Sequence, residues 1–177
     1  MRVSIVIKRI LAIDIGNTAA TVGFYQAGRL LDFRSLDYNA VPKYVQKCIR
    51  SGKYNYLDVI ISSVNPKISL FIIRSIKGLS GIRCGSAGLE FPVKINHNYN
   101  KINKLGIDRK VNIYGASKIY RLPLLIIDYG TAITLDYIDS KGIFRGGMII
   151  PGPGLAFKAL SHRAALLPKT LPFPRKA

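Results

Sequence analysis

Two short stretches of this chain set an acid, a glycine and a threonine close together in the same order: Asp14-Ile15-Gly16-Asn17-Thr18 and Asp128-Tyr129-Gly130-Thr131. Each follows an apolar run, RILAID over Arg9–Asp14 and LLIID over Leu124–Asp128, that reads as a buried strand ending in its acid. An acid at a strand end can hold Mg2+ directly or through water. The glycine lets backbone N–H groups approach an anion closely, and the threonine adds a hydroxyl donor. That set suits the phosphates of a nucleotide, because phosphoryl transfer asks the protein to hold phosphates still, neutralise charge and position the attacking oxygen. Asp14, Gly16, Asn17 and Thr18 are then one phosphate loop, and Asp128, Gly130 and Thr131 the other. Either stretch alone is equally an ordinary turn after a strand; the repetition at matching places points to a ligand.

A third constellation is Gly106-Ile107-Asp108-Arg109. Its glycine closes a loop and its acid stands where a helix begins. Such an acid is often only a cap and dipole partner. It could also accept the proton of a substrate hydroxyl, while the Arg109 fork clamps a substrate carboxylate.

The elements that must position these groups follow from pattern. Strands are expected at Arg9–Asp14, Thr21–Gln26 and Arg29–Leu36, with a tight turn at Ala27-Gly28. Val41, Tyr44, Val45, Cys48 and Ile49 have the spacing of one helical face, predicting a helix over Val41–Ser51. Leu57–Ser62 reads as a strand, and Asn65-Pro66 opens a second helix with a cap and a first-turn proline. Short strands around Ile82 and over Pro92–Ile95 come next, then a helix over Asp108–Tyr120. Leu124–Asp128, Thr131–Ile138 and Gly142–Ile150 form three more strands, and a last helix covers Leu155–Ala165. The order is βββαβα followed by the start of a second such unit, dividing the chain at 1–118 and 119–177. Duplicated α/β units of this kind, facing each other across a cleft, are the plan of the actin-like, or ribonuclease H-like, ATPases, here with the second unit incomplete.

Bulk properties narrow the function classes. At 177 residues with 49% hydrophobic content, the chain can bury a real core. Its 27 Lys and Arg against 9 Asp and Glu give a charge of +18, which favours anionic partners. The basic residues are scattered and make no tail, which fits a solvated surface better than a nucleic-acid site. Cys48 and Cys84 read as two thiols in a reducing compartment. His97 and His162 have no metal-ligand spacing. No apolar run reaches the roughly 18 residues that span a bilayer, and the first eleven residues lack the features of a signal peptide.

Taken together, DIGNT (Asp14–Thr18), GIDR (Gly106–Arg109), DYGTAIT (Asp128–Thr134), GGMIIPG (Gly146–Gly152) and AALLP (Ala164–Pro168) resemble, in order, the motifs of the type III pantothenate kinase family, which includes the Bvg accessory factor-like proteins. The resemblance implies an ATP-dependent kinase that phosphorylates pantothenate in the first step toward coenzyme A. Carried over by position, it makes Asp108 the general base and Arg109 the binder of the pantothenate carboxylate, with Tyr99 and Gly106 also at the substrate. Asp14, Gly16, Asn17 and Thr18 become the first ATP phosphate motif, with Asp14 at Mg2+. Gly130 and Thr131 become the second, with Asp128 at a monovalent cation, K+ or NH4+. Gly146, Gly147 and Gly152 line the cleft. A cytoplasmic homodimer, without membrane or nucleic-acid partners, is implied as well.

Departures accompany the match. Ile102 stands where the family commonly has proline, and Ala164 where threonine is usual. The family also continues past the position of Ala177 with an Ile-Gly-x-x-Thr-like segment, further helices and more sheet, which supply adenine contacts, dimer interface and a threonine for the partner's pocket. Without that part, an unpaired sheet and an apolar face are expected on the second unit. A non-catalytic nucleotide- or pantothenate-binding regulatory protein of the accessory-factor type, and another actin-like sugar or acetate kinase, are the competing readings.

Overall fold

A computed structural model describes residues 9–16, 19–50 and 57–163. The chain divides into two compact units, Met1–Lys94 with Leu105–Val111, and Ile95–Lys104 with Asn112–Ala177.

The first unit is built on a five-stranded sheet in the order β3-β2-β1-β4-β5. β1 (Arg9–Ile15), β2 (Ala20–Gln26) and β3 (Arg29–Leu36) form an antiparallel meander, whereas β4 (Leu57–Ser63) and β5 (Ile82–Ser86) run parallel to β1. Alternation along β1 sends Leu11, Ile13 and Ile15 into the core and leaves Asp14 exposed. That core is completed by Val22 and Phe24 of β2, Val59 and Ile61 of β4, and two helices, α1 (Val41–Arg50) and α2 (Pro66–Ile76), through Val41, Val45, Ile72 and Ile76. α2 starts as its sequence dictates: the Asn65 side chain accepts from the Ile68 N–H, and Pro66 fills the first turn. The β2–β3 turn places Ala27 at φ 50° and Gly28 at φ 77°, the positive pair that a two-residue hairpin loop demands.

α1 is pinned to the edge strand by a polar clamp. The Tyr44 hydroxyl donates to Asp32 Oδ2 at 2.8 Å, and Arg34 Nε donates to the same oxygen at 2.7 Å. The Tyr44 hydroxyl, followed by Arg34, holds the Asp32 carboxyl below the usual carboxylate range, and burial pushes the Tyr44 phenol up. Cys48 and Cys84 are both half-buried. Burial raises both, Cys84 to about 11, so each stays protonated at neutral pH.

The second unit holds an antiparallel meander of β6 (Leu124–Tyr129), β7 (Ala132–Ile138) and β8 (Phe144–Pro151), followed by α4 (Pro153–Arg163). α3 (Ile107–Ile119) begins among the residues of the first unit and continues in the second. The turn from β7 to β8 is organised by Asp139, whose carboxylate accepts from the Lys141 and Ile143 amides and from Arg145 Nε. One face of this sheet carries Leu125, Ile127, Tyr129, Met148 and Ile150, all exposed.

One expected element is not formed. Pro92–Ile95 is irregular, with only isolated bridges beside it, Ala87 to Phe91 and His97 to Phe144. Pro92 has no N–H to give a ladder, and Ile95 already belongs to the second unit. The other boundaries move by one or two residues: β8 begins at Phe144 because Gly142 turns at φ 75°, and α4 begins at Pro153. The AALLP motif and the tail lie outside the described residues.

Ile72 is fully buried where α2 meets the sheet. Ile72→Ala is expected to cost about 2–5 kcal/mol of unfolding free energy, read from the urea midpoint.

Candidate functional site

In the first unit the site is set by the C-terminal end of β1. Asp14 pairs with Thr21 on β2 and Ser62 on β4 and is exposed between Ile13 and Ile15. After Ile15 the chain leaves the sheet at Gly16, whose amide donates to the Ala19 carbonyl at 3.2 Å. The Gly16 carbonyl accepts from the Tyr38 hydroxyl at 2.8 Å. Asn17 and Thr18, the rest of the loop, lie outside the described residues.

The same unit contains the start of α3. The Gly106 carbonyl accepts from the Lys110 amide at 3.1 Å, the opening bond of the helix. A Cβ on Gly106 would run into Oδ1 of Asp108. The carboxylate therefore folds back over the glycine toward the helix N-terminus, the direction in which helical side chains lean and in which the helix dipole favours an anion. This gives the Gly-x-Asp spacing a physical reason. Arg109 follows on the helix and is half-buried. Ile107 packs on Gly88, which sits at φ +84° in the turn after β5 and would bring a Cβ to 2.8 Å from the Ile107 Cδ1.

In the second unit, Asp128 ends β6 next to Tyr129, and its Oδ2 accepts from the Asn112 side-chain amide of α3 at 3.1 Å. The loop that follows is tied in the manner of the first: the Gly130 amide donates to the Ala132 carbonyl at 3.1 Å. It is closed from behind by Gly152, whose amide donates to the Thr131 carbonyl at 2.9 Å. Gly152 is buried, and a Cβ there would collide with the Gly130 carbonyl and stand 2.6 Å from the Thr131 carbonyl oxygen. Its own carbonyl accepts from the Ala156 amide and starts α4. Tyr99 lies edge-on to buried Phe144, with ring centroids 5.9 Å apart, and is exposed on its other side. Gly146 lies within 4.0 Å of the Tyr99 ring, measured from where a Cβ would be; Gly147, next to it, is exposed.

The structure thus places Asp14 with Gly16, and Gly106 with Asp108 and Arg109, in one unit, and Tyr99, Asp128, Gly130 and Thr131 in the other. Two holders of these groups escape sequence reasoning. Asn112 stands four residues after Asp108 on α3, a spacing that could have drawn attention to it. Tyr38 carries no motif at all.

Among the described residues no cluster of three or more His, Cys, Asp or Glu could cage a metal. One exposed carboxylate, Asp14, still fits Mg2+, which is commonly bound by one or two carboxylates with water and substrate phosphates. No helix of the described residues is long and apolar enough to cross a membrane.

Comparison with known proteins bears on the whole arrangement. The family model for type III pantothenate kinase matches residues 10–175. A type III pantothenate kinase of Persephonella marina is 35% identical over 169 residues, covering 90% of this chain and 66% of that protein. The chain therefore spans slightly less than two thirds of that relative's length. Among solved structures, a Campylobacter jejuni protein described as a candidate Baf family transcriptional activator superposes with TM-score 0.56 at 23% identity, covering 94% of this chain and 68% of the other. A Sinorhizobium meliloti protein described as a candidate 2-dehydro-3-deoxygalactonokinase gives TM-score 0.52 at 12% identity, with 89% and 58% covered. These likenesses place the fold with the actin-like ATPases.

Because the atoms that crowd Gly152 are backbone, they cannot swing aside. Gly152→Ala is expected to cost about 1–3 kcal/mol in urea unfolding, whereas Gly154→Ala, which opens into free space, stays within about 0.5 kcal/mol.

Proposed function

The chain belongs to the type III pantothenate kinase family, and from that premise we propose that it binds ATP and pantothenate and transfers the γ-phosphoryl group to the pantothenate hydroxyl. The observation that carries this reading is the Asp108 carboxylate, folded back over Gly106 at the start of α3. A half-buried carboxylate in that place suits removal of a hydroxyl proton as the phosphorus–oxygen bond forms. Arg109 adds a planar fork suited to the carboxylate of the same substrate. Tyr99, half-open beside Phe144, offers an aromatic wall to the pantothenate chain.

The nucleotide's phosphates are assigned to the two acid–glycine–threonine loops. The Gly16 amide donates to the Ala19 carbonyl, and the Gly130 amide to the Ala132 carbonyl. Asp14 is the residue that would hold Mg2+, which supplies neutralisation of charge on the phosphates. Asp128, steadied by Asn112, would hold a monovalent cation, K+ or NH4+. A homodimer in the cytoplasm is part of the same proposal, drawn from the family resemblance.

The test is pantothenate-dependent formation of ADP by the purified chain with Mg2+ and either K+ or Na+. Turnover that requires pantothenate and rises with K+ is expected; a folded chain without turnover would overturn the proposal for this polypeptide. Asp108→Asn is expected to lower kcat by about 10²–10⁴-fold while the melting temperature is kept. Near-normal turnover in that variant would remove Asp108 as the base. Gly106→Ala should act in the same direction more mildly, because it pushes the carboxylate off its place without removing it.

A further inference from the structure

Between Asp37 and Glu90 the sequence carries a single acid, Asp58, while lysines and arginines recur throughout. Asp58 is buried and held by Arg83, through Nε at 2.8 Å and Nη2 at 3.2 Å, so its charge is neutralised within the unit. This stretch builds α1 and α2, and neither helix contains an acid. On α2, Lys67, Leu70, Phe71 and Arg74 follow the i, i+3, i+4, i+7 spacing of one stripe. All four are exposed, whereas Ile72 and Ile76 of the same helix fill the core. With Ser75 they line an open groove of about 490 Å3. The Ser75 hydroxyl donates to the Phe71 carbonyl at 2.8 Å, so the groove's own polar group is satisfied within the helix. Among the described residues neither Lys67 nor Arg74 makes an ion pair. Lys67 also stands in the first turn of α2, where the helix dipole favours an anion and no acid is present.

We propose that this stripe of α2 docks an acidic amphipathic helix of another protein. Leu70 and Phe71 supply the apolar centre. Lys67 and Arg74 mark its two ends, about 10.5 Å apart along the helix axis. A partner helix that lays a ridge of apolar side chains into the groove, with glutamates or aspartates about two turns apart beside it, answers both the apolar and the cationic groups. A second copy of the chain fits less well. A two-fold contact through this stripe would set Lys67 against Arg74 in an antiparallel crossing, or each against itself in a parallel one, like charge in either case. A bilayer takes up apolar side chains that stand outward on a face, not ones that line a groove. None of these residues is assigned to ATP or pantothenate, so failure here leaves the kinase reading standing.

The experiment is a fluorescence anisotropy titration of a labelled helical peptide of roughly 18 residues, with leucines on one face and glutamates flanking them, by the full chain. A scrambled peptide of the same composition, and vesicles of phosphatidylserine and phosphatidylcholine, are titrated alongside. The patterned peptide is expected to bind, and the scrambled one to bind at least about tenfold more weakly. Leu70→Ser and Phe71→Ser should each weaken binding by about tenfold, and Lys67→Glu with Arg74→Glu by more than that. Urea midpoints should stay near the parent's, because these side chains are exposed. Equal binding of the two peptides, binding that these substitutions do not move, or no binding at all would overturn the docking site. Binding to vesicles in preference to the patterned peptide would overturn it in favour of a membrane surface.

Discussion

The whole of the first unit hangs on the place of β1 between β2 and β4. Paired antiparallel on one side and parallel on the other, β1 has no free edge, and its register is fixed along its length. Side chains on a strand alternate, so the burial of Leu11, Ile13 and Ile15 against α1 and α2 forces Asp14 onto the other face. A slip of one residue would drive the acid into an apolar core and expose three large side chains. The core thus sets where the carboxylate stands, and the loop that follows can only begin at Gly16.

The second unit applies the same alternation with less cover. On β6, Leu125, Ile127 and Tyr129 share the exposed face, and Asp128 takes the opposite one, the side from which Asn112 of α3 reaches it. β6 and β8 are the outer strands of their three-stranded sheet, and Met148 and Ile150 extend the apolar face across β8. An apolar face on a short sheet with open edges is a surface that water tolerates poorly. It contrasts with the first unit, where two amphipathic helices close one face of five strands.

Much of this was legible in the residues. RILAID, the Ala27-Gly28 turn and the Asn65-Pro66 cap announce their structures because each depends on local preference: buried alternation, positive φ and a side-chain cap. The failure at Pro92–Ile95 has the opposite origin. His97 bridges to Phe144, and that long-range pairing, with a proline next to it, decides the path of the segment. The same holds within the site. The acids and glycines were readable from their spacing, but the reason for Gly106 appears only when the Asp108 carboxylate is seen folded over it, and the reason for Gly152 only when Thr131 is seen against it. Tyr38 and Asn112 act across 22 and 16 residues, and only Asn112, four residues after Asp108 on α3, has a spacing that hints at its place.

The two loops resemble each other in sequence and in the tie on their glycine amide, yet they are braced by different means. Gly16 is held by a side chain, a single phenol hydroxyl on the entry to α1. Such a brace can lengthen or let go at a modest cost, since a neutral hydrogen bond in partly wet surroundings contributes little net free energy. Gly130 and Thr131 are held by the backbone of Gly152, in a contact too close for any side chain, and Gly152 also begins α4. That brace cannot yield without moving a strand end and a helix start together.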